Sequence, residues 1–182
     1  VMTGILQDKL YIEQLNEAIS LSEKTEIGKY APFFSLPNIK GEKITRSSED
    51  FKKKNLLINF WASWGDSISN HQSNTELKEI YQKYKKNKHI AMLGISLDMD
   101  KQEWQDAIKR DTLNWEQVCD FGGLNSEVAK QYAIKQVPSN ILLSADGKIL
   151  AKNLKGEQLK KKIEEVVTAA EEKEKQDNKK KK

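Results

Sequence analysis

The sequence predicts an α/β sandwich of three layers around a mixed sheet. Three observations carry this. Two continuous apolar runs, Leu56 to Trp61 and Ile90 to Leu97, read as strands buried on both faces, the pattern of a parallel sheet. A stretch with helical spacing separates them, which implies a right-handed parallel crossover. A hairpin pattern then adds antiparallel strands before a last helix.

The elements follow in order. Residues 4 to 22 place Ile5, Ile12, Leu15 and Ile19 on one helical stripe, with Leu6, Leu10 and Ala18 beside it. This amphipathic helix lies outside the pattern that follows, so residues 1–25 read as an extension that packs on the domain or on something upstream. A short strand around Phe33 to Leu36, a turn through Gly41 and a second strand near Ile44 read as a small N-terminal β-hairpin. After the strand at 56–61, Leu77, Ile80, Tyr81 and Tyr84 mark a helix. After the strand at 90–97, Trp104, Ala107 and Ile108 mark another, and Val128, Ala129 and Tyr132 a short third. Ile141 to Leu143 and Lys148 to Ala151 flank the turn Ala145-Asp146-Gly147. Leu159, Ile163, Val166, Val167 and Ala170 form the stripe of the last helix. The expected order inside the domain, 26–170, is β, β, β, α, β, α, α, β, β, α.

Composition excludes several classes. The 182 residues suffice for one full domain plus extensions. No apolar run is long enough for a membrane span. The N-terminus lacks the order of a signal peptide, and what precedes Val1 stays open. The net charge is +4, and the last twelve residues hold six lysines and four acids, +2 of that excess. The remainder is nearly neutral, which argues against a nucleic-acid surface. Residues 171–182 read as a charged, disordered tail. One cysteine, Cys119, and two distant histidines, His71 and His89, cannot build a cysteine-based metal cluster or an intrachain disulfide. No metal or cofactor is expected.

Several motifs in the right order resemble the thioredoxin-like proteins of the TlpA/ResA type, which are related to the AhpC/TSA peroxidases. Gly28-Lys29-Tyr30-Ala31-Pro32-Phe33-Phe34-Ser35-Leu36 resembles the entry motif of that family, and Asn59-Phe60-Trp61-Ala62-Ser63-Trp64 its active-site lead-in. Gly94 to Asp98 resembles its second parallel strand, Tyr132-Ala133-Ile134 with Val137-Pro138-Ser139 its proline segment, and Asp146 to Ile149 its final hairpin. The resemblance covers roughly residues 26 to 167. It implies the thioredoxin-like fold, a cis Val137–Pro138 bond facing the start of the active-site helix, and a location in the bacterial cell envelope or periplasm.

The chemistry is where the sequence departs. The family places Cys-x-x-Cys directly after the second tryptophan; here Gly65 and Ile68 hold the two cysteine positions, with Asp66 and Ser67 between them. Thiol-disulfide exchange needs an attacking thiolate and a second thiol to resolve the mixed disulfide. A glycine and an isoleucine supply neither. Asp66 and Ser67 are favoured helix N-caps. A serine nucleophile would need a base, and His71 lies one turn beyond Ser67, but a capping hydroxyl is already engaged.

Three readings remain open at this point. The first is a redox-inactive module that binds a peptide or protein in the groove formed by Trp64 to Ser67 facing Val137, Pro138 and Ser139. The second is an oxidoreductase of antioxidant type that works through Cys119, placed at a strand end in Trp115 to Asp120, or through an external thiol. The third is a structural module of a larger envelope protein. Exposure of Trp64 separates the first from a fold in which residues 1 to 25 cover its ring.

Overall fold

The computed structural model describes residues 2–64 and 67–180, and for 2–8 and 67–71 the backbone alone. The described elements are α1 (Met2–Lys24), β1 (Ser35–Pro37), β2 (Lys43–Thr45), β3 (Asn55–Trp61), α2 (Ser67–Tyr84), β4 (Ile90–Ser96), α3 (Lys101–Arg110), β5 (Glu116–Cys119), α4 (Glu127–Gln131), β6 (Ser139–Leu143), β7 (Ile149–Lys152) and α5 (Gly156–Lys180). The main sheet has the order β5-β4-β3-β6-β7. β3, β4 and β5 run parallel, while β6 and β7 are antiparallel to their neighbours, so the sheet is mixed.

The continuous apolar run of β3 is explained by its place. It is the central strand, all seven of its residues are buried, and both faces are covered. On one face Leu57 and Trp61 pack with Leu77 and Ile80 of α2, Trp104 and Ala107 of α3, and Leu159, Ile163 and Val167 of α5. On the other, Leu56, Ile58 and Phe60 pack with Phe34 and Leu36 at the β1–β2 hairpin and with Val128 and Tyr132 around α4. Tyr132 joins two distant motifs: its ring lies 5.4 Å from that of Phe60 and its hydroxyl donates to the Pro32 carbonyl at 2.7 Å. The short helices are capped in the expected way. Asp100 accepts from the Gln102 and Glu103 amides at the start of α3, and Ser126 from the Ala129 amide at the start of α4.

Two features differ from the sequence-based expectation. β5 is a full strand of the sheet, where the pattern placed Cys119 at a strand end but gave no separate strand. Four residues with an interior glutamine, Gln117, make too short and too polar a run to stand out. Residues 171–180, expected as a disordered tail, continue α5. Glu and Lys are good helix formers and pair at i, i+4. The extension is also tied down: Glu171 accepts from Asn87 at 3.3 Å, and Glu174 meets Lys88 at 2.7 Å and His89 at 3.3 Å.

For α1 the sequence leaves two alternatives open, packing on the domain or on something upstream. Leu10, Tyr11, Ile12, Leu15 and Ile19 are exposed, so the described part of its apolar stripe does not pack on the sandwich. Just beyond its last turn, buried Thr25 bonds back to Leu21 and Ser22 and receives the Lys152 ammonium at 3.3 Å. Among the described residues no helix is long and apolar enough to cross a membrane, and no group of His, Cys, Asp or Glu could hold a metal ion.

Candidate functional site

The site region lies where β3, β4 and β5 end and β6 begins. Register fixes this: Phe60 pairs with Ser139 and Trp61 with Ser96, while Ser96 pairs with Cys119. The chain leaving β3 and the Val137–Pro138 segment entering β6 therefore share one end of the sheet. The Val137–Pro138 peptide bond is cis. The ladder of β6 starts at Ser139, so the amide and carbonyl of Val137 fall outside it.

Asp98 organises this end. It is buried, yet its carboxylate accepts from the Ser63 amide (3.0 and 3.1 Å), the Ser63 hydroxyl (2.6 Å) and the Ser96 hydroxyl (2.6 Å). Its own amide donates to Ser96 Oγ at 2.9 Å. Such a carboxylate costs a great deal to bury unless its lone pairs are filled, and here they are filled by Ser63 in the loop that follows β3 and by Ser96 at the end of β4. Trp61, one strand position earlier, is locked from the other side: its indole N–H donates to Gln117 Oε1 at 3.0 Å. Gly94 makes room for that glutamine, since a Cβ there would stand 1.9 Å from Gln117 Oε1. The sequence pattern singled out neither Asp98 nor Gln117 as organising residues. A lone polar residue at or after the end of an apolar run was the available signal.

Directly after these two anchored residues, Trp61 and Ser63, the chain presents Trp64, 52% exposed. The other three tryptophans, Trp61, Trp104 and Trp115, are buried. Residues 10–19 of α1 are themselves exposed on their apolar side and do not bury this ring. Gly65 and Asp66 lie outside the described residues. Ser67 and Ile68 open α2, with their side chains, and that of His71, outside the description. The capping expectation for Asp66 or Ser67 falls on these residues.

Cys119 is elsewhere, and it is sealed. It is 0% exposed. Its thiol donates to the Asp98 carbonyl at 3.5 Å, and its sulfur accepts from the Phe121 amide at 3.3 Å. Burial pushes its pKa from 9.0 up to about 11, so at neutral pH only about one thiol in 10⁴ is ionised. A reactive thiol is partly exposed and electropositive in setting; Cys119 is neither. The expectation of a reactive thiol at this position does not survive its burial.

The concave feature of this region is a groove of about 470 Å³ between α2 and the start of α5. Pro138 and Asn140 line it together with residues of α2 from Gln72 to Glu79. The sequence predicts a groove between Trp64 to Ser67 and Val137 to Ser139; of these Pro138 lines the described cavity, which runs along α2, while Gly65, Asp66 and the side chain of Ser67 lie outside the described residues.

A thioredoxin-like family model matches residues 53–149. The thiol-disulfide oxidoreductase ResA of Bacillus cereus is 33% identical over 146 residues, 80% of this chain and 79% of its own length. Among solved structures, the C-terminal domain of a protein assigned as a thiol-disulfide oxidoreductase from Bacteroides thetaiotaomicron is 79% identical, with a TM-score of 0.79 over 80% of this chain and 99% of that one. A thiol-disulfide oxidoreductase from Bacteroides fragilis is 59% identical, with a TM-score of 0.73 over 76% of this chain and 99% of that one. The chain belongs to the thioredoxin-like family, in its thiol-disulfide oxidoreductase branch.

Proposed function

We propose that this protein is a redox-inactive thioredoxin-like module that binds a peptide or protein segment beside Pro138. The observation that carries the reading is the distribution of thiols. Positions 65 and 68, where the family keeps its two cysteines, hold glycine and isoleucine, and the single cysteine of the chain is buried beneath Asp98. No thiolate is available to attack a disulfide, and no second thiol to resolve one.

The frame around the missing sulfur supports a binding role. Trp64 is a rigid, half-exposed aromatic of the kind that anchors interfaces. The backbone of Val137 lies outside the sheet ladder and is positioned to pair with an extended chain. A groove of about 470 Å³, within the size range of ligand sites, begins at Pro138. The location that goes with this reading is the bacterial cell envelope, as the resemblance to exported relatives implies.

Trp64 supplies the test. With three tryptophans buried, iodide should quench one accessible component of the fluorescence, and Trp64→Phe should remove it. Peptides bound at the site should protect that component. Peptide mixtures that neither shift nor protect it, at concentrations up to about 1 mM, would contradict the binding reading.

A further inference from the structure

The charge of the chain is unevenly placed. Asn55 pairs with Ile90 and Trp61 with Ser96, so the segments that lead into β3 and β4 share the end of the sheet opposite Ser63 and Trp64. These two segments, 46–54 and 83–89, hold eight cations and two acids, an excess of six that exceeds the net charge of the whole chain, +4. The other segments that reach this end, 109–116, 146–148 and 171–175, carry five cations and six acids, which leaves an excess of five. Cancellation elsewhere hides this basic end in the overall composition.

The backbone of this end is fixed, while its ammonium groups are exposed. The Asn55 amide and its side-chain amide both donate to the His89 carbonyl, at 2.8 and 3.0 Å, which ties the two segments together. The Arg46 guanidinium donates to the Lys54 carbonyl at 2.6 Å and to the Ala145 carbonyl at 3.0 Å, which pins the lysine run to the β6–β7 turn. Lys54 and Lys85, from the two segments, line one cavity of about 230 Å³. Lys52, Lys53, Lys85, Lys86 and Lys88 are exposed. Among the described residues, only Lys88 of these five is in an ion pair. Lys85 bonds to the neutral Gln82 at 2.6 Å, which leaves its charge uncancelled.

The kind of partner follows from the type of cation. Arg46, the one arginine of the two segments, is engaged by backbone carbonyls. What is presented is lysine, a point charge on a flexible stem without the fixed fork of arginine. Such charges need no partner of fixed spacing. They suit mobile anions that gather beneath them, and each lysine is worth roughly fivefold in binding near an anionic lipid surface.

We propose that this basic end docks on a membrane surface rich in anionic lipid and holds the Trp64 end away from it. β3 spans seven residues, so the two ends lie about 20 Å apart, beyond the Debye length of about 8 Å at physiological salt. Docking at one end therefore leaves the other open. The inference stands independently of what binds beside Pro138.

The test is flotation of the full chain with vesicles of phosphatidylcholine alone or with about 30% phosphatidylglycerol added. At low salt the protein should float with the anionic vesicles and stay behind with the neutral ones, and about 0.5 M salt should release it. Lys52→Gln, Lys53→Gln, Lys85→Gln and Lys86→Gln combined should weaken partitioning at least about tenfold. The same substitution at Lys40, Lys101, Lys130 and Lys135, exposed lysines elsewhere, removes equal formal charge and should weaken it by less than about threefold. Both variants change only exposed side chains, so their circular dichroism should match the parent. No flotation with anionic vesicles, equal flotation with neutral ones, or equal weakening by the two variants would overturn the inference. Tight binding to duplex DNA without flotation would overturn it too, by reassigning the surface to a nucleic acid. None of these results bears on peptide binding, which Trp64 reads at the opposite end.

Discussion

Trp64 and Cys119 sit at the same end of the sheet, each next to a contact of Asp98, and their exposures are opposite. Trp64 follows a serine clamped to the Asp98 carboxylate and stands half-exposed, while Cys119 is held against the Asp98 carbonyl with no exposure at all. The aromatic that would contact a partner is presented. The one sulfur that could react with it is withdrawn. The geometry at this end of the sheet rests on strand ends and a buried carboxylate rather than on sulfur.

The largest effect expected is a gain. Gly65→Cys with Ile68→Cys places two thiols three residues apart at the start of α2, a spacing that meets disulfide geometry. The helix start favours the thiolate of the first. The double variant should form a disulfide and raise dithiothreitol-coupled insulin reduction by at least about tenfold over background. Thiols that never oxidise in a folded double variant would show that this part of the frame has been lost along with its cysteines.

Next in size is Asp98→Ala. It leaves the Ser63 amide and two hydroxyls without their acceptor, at about 1 to 3 kcal/mol for each group that stays buried. Urea unfolding should show a loss of about 3 kcal/mol, and Cys119 should become labelled by thiol reagents at neutral pH. Asp98→Asn, which keeps an acceptor, should lose less. A variant as stable as the parent would break the link between the two halves of the comparison.

Cys119 gives a smaller effect with a definite sign. Its folded pKa of about 11 lies above the ordinary value of 9.0. Below pH 9 both folded and unfolded chains hold the proton, and the group contributes no pH dependence. Between about 9 and 11 the unfolded chain releases the proton and the folded chain does not, so stability falls as pH rises. The parent should lose stability over this window more steeply than Cys119→Ala, and thiolate absorbance of the folded protein should titrate near pH 11. A midpoint near 9 would mean that the thiol is open to solvent.

Trp64→Ala should have the smallest effect on stability, within about 0.5 kcal/mol, because the ring is half in water. Its effect should fall on peptide affinity instead, by about tenfold. A large stability loss with unchanged affinity would recast Trp64 as a packing residue.

Much of the fold was legible because β3 and β4 are covered on both faces, which writes a continuous apolar run into the sequence. The stripe Leu159, Ile163 and Val167 likewise announced α5 and the face it buries. β5 escaped because Gln117 interrupts its short run to bond Trp61, a long-range reason that no local pattern contains. The helical tail escaped because charge runs read as solvated chain, while here Glu171 and Glu174 find partners at 87–89. At the site, the missing cysteines were plain from the sequence. The burial of Cys119 arises from packing between distant segments, and spacing could not reveal it.

The central claim is tested most directly by dithiothreitol-coupled insulin reduction, run beside a Cys-x-x-Cys relative. The account predicts turnover indistinguishable from the dithiothreitol background for the parent protein and for Cys119→Ser alike. Turnover comparable to the relative, and above all turnover that survives Cys119→Ser, would contradict it.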